Sequence, residues 1–212
     1  MSDSNSAQLR VAVLIYNGVE MVDMNGPIDV FIHSNAYNNG RYQVYTVAAT
    51  TDAIRSEDGI VTILPQYDIC NCPLPDIIVI PGILNHEVDT AMITWLTEQG
   101  KNPEIVFLSV CIGLYTLAKT GLLAGKQATT HYLAINSFHQ QYPEVTLVKN
   151  VRFVEDGRIV STGGITSGID GALHLVEKYD GPTVAQQTAD VMIYNRDAPL
   201  PPYTILPPYY TV

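Results

Sequence analysis

The chain has 212 residues, enough for one sizeable core and short for two. With 47% hydrophobic and 15% charged residues it has the make-up of a packed globular protein, which excludes a disordered one. A formal net charge of −10 argues against binding DNA or RNA through phosphates, which needs basic patches.

The opening MSDSNSAQLR is polar and lacks the apolar core of a signal peptide, so a reducing cytoplasm is the expected home. Residues 11–16 (VAVLIY) read as a strand buried on both faces. A helical pattern follows over 21–36, with Gly26-Pro27 expected to interrupt it. Residues 42–49 (YQVYTVAA) give a second strand, and Asp58-Gly59 marks a hairpin within 54–64. IIVI at 77–80 is another buried strand, ended by Pro81-Gly82, and 88–99 reads as a helix. An apolar run at 105–108 then leads through Ser109 and Val110 to Cys111 and a helical pattern that Gly121 stops. Beyond it a short strand is expected over 127–130, a helix over 133–141 and strands over 145–148 and 152–162, the last split by an Asp156-Gly157 hairpin. Helices over 167–178 and 183–194 follow, with Asp180-Gly181-Pro182 between them. No apolar run approaches the length of a membrane span. This βαβ alternation predicts one doubly wound α/β domain over 1–194 and a proline-rich tail over 195–212.

Cys111 carries the strongest chemical signal. At a strand-to-helix turn it meets free backbone N–H groups and the positive end of a helix, a setting expected to favour the reactive thiolate. Nucleophiles and ligands in open α/β sheets collect at such carboxyl ends. The competing reading is a buried, inert cysteine. Cys70-Asn71-Cys72 lacks a second ligand pair, so no metal site is expected there, and three cysteines argue against a disulfide framework. Neither a dinucleotide fingerprint nor a P-loop is present, and no cofactor is expected. The glycine-rich run from Thr162 to Gly168 reads as a turn that needs close backbone approach. His33, His86, His139 and His174 show no ligand spacing, and Asp170 reads as a helix cap or ion-pair partner.

Four segments point one way: YNGVEMVDMNGPIDVF, DIIVIPG, SVCIGLYTLAKTGLLAGKQATTH and STGGITSGIDGALHLVE. Together they resemble the ThiJ/PfpI superfamily, within it the isonitrile hydratase and stand-alone amidotransferase-like branch. The resemblance implies a flavodoxin-like three-layer sandwich with a mostly parallel central sheet, usually a homodimer. It also implies a small-molecule substrate; from the charge and the lack of a long apolar run, no nucleic acid and no membrane are expected as partners. It makes Cys111 the family nucleophile, Asp23 the acid beside the sulfur, and His131, 20 residues after the cysteine, a histidine close to it. From the residues alone, Asp23 reads more readily as a helix cap or a solvated acid, Glu20 competes for its role, and His131 reads equally as a structural histidine.

Gly82 matches the first glycine of a turn whose N–H groups face the reacting centre. Ile83 stands where the second glycine is expected, and Ile112 where isonitrile hydratases carry threonine. Both isoleucines are expected to narrow the pocket and make it more apolar, and protease chemistry is not expected. The implied reaction is cysteine-dependent hydration of an isonitrile to an N-substituted formamide. Two alternatives stay open: a redox or ligand-sensing domain with an oxidisable cysteine, and glyoxalase- or deglycase-like chemistry with His131 carrying the proton.

Overall fold

The computed structural model describes residues 7–84 and 87–200; His86 and the prolines from Pro201 onward lie outside the described residues. In chain order the elements are β1 (Leu9–Leu14), α1 (Met21–Ser34), β2 (Tyr42–Ala48), β3 (Ile54–Arg55), β4 (Thr62–Ile63), β5 (Tyr67–Asp68), β6 (Ile77–Ile80), α2 (Thr90–Gln99), β7 (Val106–Val110), α3 (Gly113–Ala118), β8 (Gln127–Ala128), α4 (Ile135–Gln141), β9 (Thr146–Leu147), β10 (Phe153–Asp156), β11 (Ile159–Thr162), α5 (Ser167–Asp180) and α6 (Pro182–Val191).

Seven strands form the central sheet in the order β10-β11-β7-β6-β1-β2-β5. All pairings are parallel except β10 with β11, the hairpin expected at Asp156-Gly157. The central strands β6 and β7 are buried along their whole length, as continuous apolar runs require when helices cover both faces. Helices α1, α5 and α6 pack together as one layer, and α2 packs with α3 as the other. This is the flavodoxin-like α/β sandwich with a mostly parallel sheet that the sequence predicts.

Two features differ from expectation. Helix α1 runs unbroken through Pro27. A proline there removes one helical hydrogen bond, at a cost of about 3 kcal/mol, but α1 is held against α5 at that point. A β-carbon on Gly26 would lie 3.0 Å from Ile169 Cγ1, and one on Gly168 3.5 Å from Pro27 Cδ. Close packing of the two helices thus overrides the local breaker. The edge strand β5 was not foreseen: it is two residues long, pairs only with Val47 and Ala48, and has no alternation to read.

Asp180 ties the end of α5 to the start of β2. Its carboxylate accepts hydrogen bonds from the Tyr42 hydroxyl (2.6 Å) and Asn38 Nδ2 (3.0 Å) and ion-pairs with Arg41 Nε (3.0 Å), nearly out of solvent. Removing one member of such a pair strands the others. Asp180→Ala is expected to cost about 3 kcal/mol in urea unfolding; a loss under about 0.5 kcal/mol, the range of ordinary surface substitutions, contradicts this anchoring.

Candidate active site

Strands β1, β6, β7 and β11 lie near one another in the sheet, and their carboxyl ends deliver the site. Cys111 follows β7, Gly82 follows β6, Glu20 and Asp23 follow β1, and Gly164 and Ile165 follow β11. Cys111 has φ +58, the left-handed region that costs a non-glycine residue about 1–3 kcal/mol. The surroundings enforce this turn. The Thr130 hydroxyl donates to the Cys111 carbonyl (2.8 Å), and α3 starts two residues on. Gly164, at φ +102, leaves no room for a side chain, since a β-carbon there would lie 2.8 Å from Cys111 Sγ. The close backbone approach expected of the glycine-rich run is therefore made against the cysteine itself.

Asp23 is fully buried on the first turn of α1. Its Oδ2 accepts the Gly82 N–H (2.9 Å), its Oδ1 accepts the Ile165 N–H (2.8 Å), and its carboxyl lies beside Cys111. Burial pushes its pKa up to about 7; the two backbone hydrogen bonds oppose the rise, and the nearby charge of Glu20 adds to it. Glu20 is occupied differently, since its Oε1 accepts the Val22 N–H (3.1 Å) and caps α1. Of the two candidate acids, Asp23 faces the sulfur.

That carboxyl ionises near pH 4 in an unfolded chain and near pH 7 in the fold. Across this window the native state holds a proton that the unfolded state lacks, so stability falls as pH rises from about 4 to about 7. Asp23→Asn is expected to flatten that part of a profile of urea midpoint against pH; an unchanged slope contradicts the buried acid.

The expected thiolate is corrected by the structure. Cys111 is 8% exposed, and burial raises its thiol pKa well above the usual value, with the Asp23 charge adding to the rise. The Ile112 N–H next to the sulfur pulls the other way but does not prevail. Helix α3 is only six residues long, and its dipole does not offset desolvation next to an acid. The resting pair is a thiol beside a buried carboxyl, and ionising the sulfur is easiest when Asp23 takes the proton.

Cys111 opens onto a cavity of about 440 Å³, walled by Ile112, Leu84, Leu133, Ala134 and Ile165 and bordered by His131 and Tyr132. Partial burial lowers the His131 pKa, which favours the neutral ring. Two expectations about the turn after β6 change. The Gly82 N–H is spent on Asp23, because a buried carboxyl claims a backbone donor, so it does not face the cavity. Ile83 bridges to Val19 and packs on the core, and Leu84 lines the cavity in its place. Ile112 does line the cavity, as expected. Gly82 is needed for space: a β-carbon would lie 2.6 Å from Asp23 Oδ2.

Several residues escaped the sequence reading. Thr130 was visible only as part of the ATTH run. The Ile165 N–H, at φ +52, depends on a backbone turn that composition does not reveal. Tyr16 lies buried beneath the site and donates its hydroxyl to the Pro81 carbonyl. Burial and the Asp23 charge push that hydroxyl's pKa far up. Glu57, on the β3–β4 hairpin, also reaches the cavity. The neighbouring Glu20 carboxyl, partial burial and the charges of Asp58 and Asp23 raise its pKa to about 7. Asp170 is not part of the Asp23–Cys111 cluster: it pairs with Arg152 (2.9 Å) and accepts from the Tyr194 hydroxyl (2.8 Å), as a structural acid does. Among the described residues no cluster of histidine, cysteine, aspartate and glutamate has the geometry of a metal site.

Fold and site together define a flavodoxin-like α/β protein with a cysteine on a strained elbow beside a buried acid. The chain belongs to the DJ-1/PfpI family, whose pattern matches residues 9–178. It is 31% identical to the isonitrile hydratase of Pseudomonas putida over 199 residues, 92% of this chain and 81% of that protein. It is 32% identical over 112 residues to the HTH-type transcriptional regulator CdhR of Pseudomonas aeruginosa, a match spanning 53% of this chain and 33% of the regulator. A ThiJ/PfpI family protein from Pseudomonas syringae shares the fold, with TM-score 0.76 and 24% identity over 96% of this chain and 84% of that one. No described helix is long and apolar enough to cross a membrane.

Proposed function

We propose that this chain is a cofactor-independent, cysteine-dependent hydratase of small electrophilic molecules, turning an isonitrile into an N-substituted formamide. The observation that carries the reading is the Cys111 sulfur at the wall of an apolar cavity, with Asp23 fixed against it by two backbone N–H groups. The likeness to an isonitrile hydratase over most of the chain supports the same choice.

In this scheme Asp23 takes the thiol proton as sulfur bonds to the isonitrile carbon, and it then returns that proton to the same carbon. The product of this step is a thioimidate, R–N=CH–S–Cys111. Water adds to its carbon, one water proton passes through Asp23 to nitrogen, and the C–S bond breaks as the remaining hydroxyl proton passes to the leaving sulfur. The formamide R–NH–CHO leaves, and the thiol is restored. A pKa near 7 suits Asp23 to both proton transfers. The Ile112 N–H stabilises sulfur as it becomes anionic and again as it leaves. Neutral His131 borders the cavity where it orients water. A homodimer, a cytoplasmic home and the absence of nucleic-acid partners are part of this proposal.

The test is formamide release from a panel of alkyl and aryl isonitriles. Turnover that depends on Cys111 supports the reading, and no turnover across the panel overturns it. Asp23→Asn is expected to lower kcat about 10²- to 10³-fold, a range typical of a lost general acid–base; a value within threefold of the native enzyme removes Asp23 from the chemistry. A second reading, a ligand-sensing domain, draws on the regulator alignment, and isonitrile binding without formamide would favour it. The raised Cys111 thiol weighs against a peroxide sensor, which relies on thiolate. Dicarbonyl chemistry through His131 is separated from hydration by methylglyoxal turnover that His131→Ala abolishes.

A further inference from the structure

The cavity at Cys111 has a charge pattern that the hydration scheme does not use. Its wall is mostly apolar, but Glu20 and Glu57 enter it side by side. Main-chain contacts hold them there. The Glu57 N–H donates to the Val19 carbonyl (3.0 Å), and the Glu20 N–H donates to the Gly82 carbonyl (3.0 Å). The loop from β1 to α1 is thus clamped between the β3–β4 hairpin and the turn after β6, and each contributes to the same cavity. No lysine or arginine stands among the described residues lining it. Arg55, on the same hairpin, folds along its own turn toward Gly59. Besides Cys111 and the Tyr132 phenol, the acid–base groups of this wall are the two glutamates and the His131 ring, with Asp23 behind the sulfur.

We propose that Glu57, paired with Glu20, selects substrates of the Cys111 cavity by charge, admitting neutral and cationic small molecules and rejecting anions. In a cleft with apolar walls the field of the carboxyl pair is poorly screened above pH 7, where Glu57 is ionised as well as Glu20, and at that pH a carboxylate- or sulfonate-bearing molecule meets it on the way to the sulfur. The substrate class becomes alkyl, aryl or aminoalkyl isonitriles, and isonitriles carrying an acid are excluded. Naming this class rests on the hydratase reading; the test below does not, because it requires no turnover.

Three small methanethiosulfonates that differ in charge (aminoethyl, methyl and sulfonatoethyl) are reacted with the full chain. In each case the Cys111 sulfur attacks the sulfenyl sulfur, a disulfide forms and methanesulfinate leaves. Rates are read at the Cys111 peptide by mass spectrometry, which separates it from Cys70 and Cys72, and are divided by those of a small free thiol. The expected cationic-to-anionic ratio is about tenfold above that of the free thiol, in the range of electrostatic focusing. Glu57→Gln is expected to bring it down to about threefold and Glu57→Lys to invert it, with circular dichroism confirming the fold of both variants. A wild-type ratio equal to the free thiol's overturns the proposal, as does a ratio that neither Glu57 substitution changes. So does a Cys111 that no reagent modifies, since the cavity would then give no route to the sulfur.

Discussion

Cys111→Ala is expected to lower kcat/KM for isonitrile hydration by about a thousandfold or more, the scale on which enzymes lose activity with their nucleophile. The scheme leaves nothing to replace the sulfur. Asp23 has both oxygens committed to backbone donors, and Ile112 brings no hydroxyl to the carbon. Cys111→Ser is expected to fall nearly as far: its hydroxyl ionises less readily than a thiol beside an acid that already disfavours a second charge. Both variants are expected to stay folded, because alanine and serine fit where the sulfur lay and Thr130 and Gly164 still define the turn. Kinetics read together with urea midpoints check both halves of this expectation. Wild-type turnover in Cys111→Ala removes covalent catalysis.

The largest expected effect on stability comes from Gly113→Ala. Gly113 begins α3 directly against the end of β6, and a β-carbon there would lie 2.1 Å from the Ile80 carbonyl oxygen and 2.8 Å from that of Pro81. Both obstacles are backbone, so no rotamer change relieves the overlap. Either α3 lifts from the sheet or the turn after β6 shifts. Overpacking of this kind, with backbone displacement, is expected to cost about 3 kcal/mol or more, which for a chain of this size lowers Tm by about 6–12 °C. The same shift moves the Gly82 N–H off Asp23, so activity is expected to fall beyond what unfolding explains. A Tm within 1–2 °C of the native value contradicts the packing described.

Much of the scaffold was legible because strands buried on both faces have little alternative. VAVLIY, IIVI and the run before Cys111 became adjacent central strands β1, β6 and β7. Asp58-Gly59 and Asp156-Gly157 became turns because Asp58, Gly59 and Gly157 take positive φ there, with Asp156 the last paired residue of β10, and both hairpins closed at these positions. Pro27 misled because local propensity ignores a partner helix, and α5 arrives from far along the sequence. At the site, the elbow position of Cys111 was readable, whereas its ionisation was not. The helix end is a local feature; burial and the Asp23 charge come from elements 88 residues apart in sequence. Gly82 was found for the wrong reason: its N–H serves the acid, not the cavity. Glu57 carried no signal, since an acid in an Asp-Gly hairpin looks like ordinary solvated charge until the hairpin is folded against β1 and α1.

A covalent bond between substrate and sulfur decides the matter most directly. Native enzyme quenched in acid during turnover of an isonitrile should yield a Cys111 peptide heavier by the whole mass of the substrate, because both sulfur and hydrogen add to its carbon and nothing leaves. Formamide forming steadily while that peptide never gains mass, under quench times shorter than one turnover, would contradict the account.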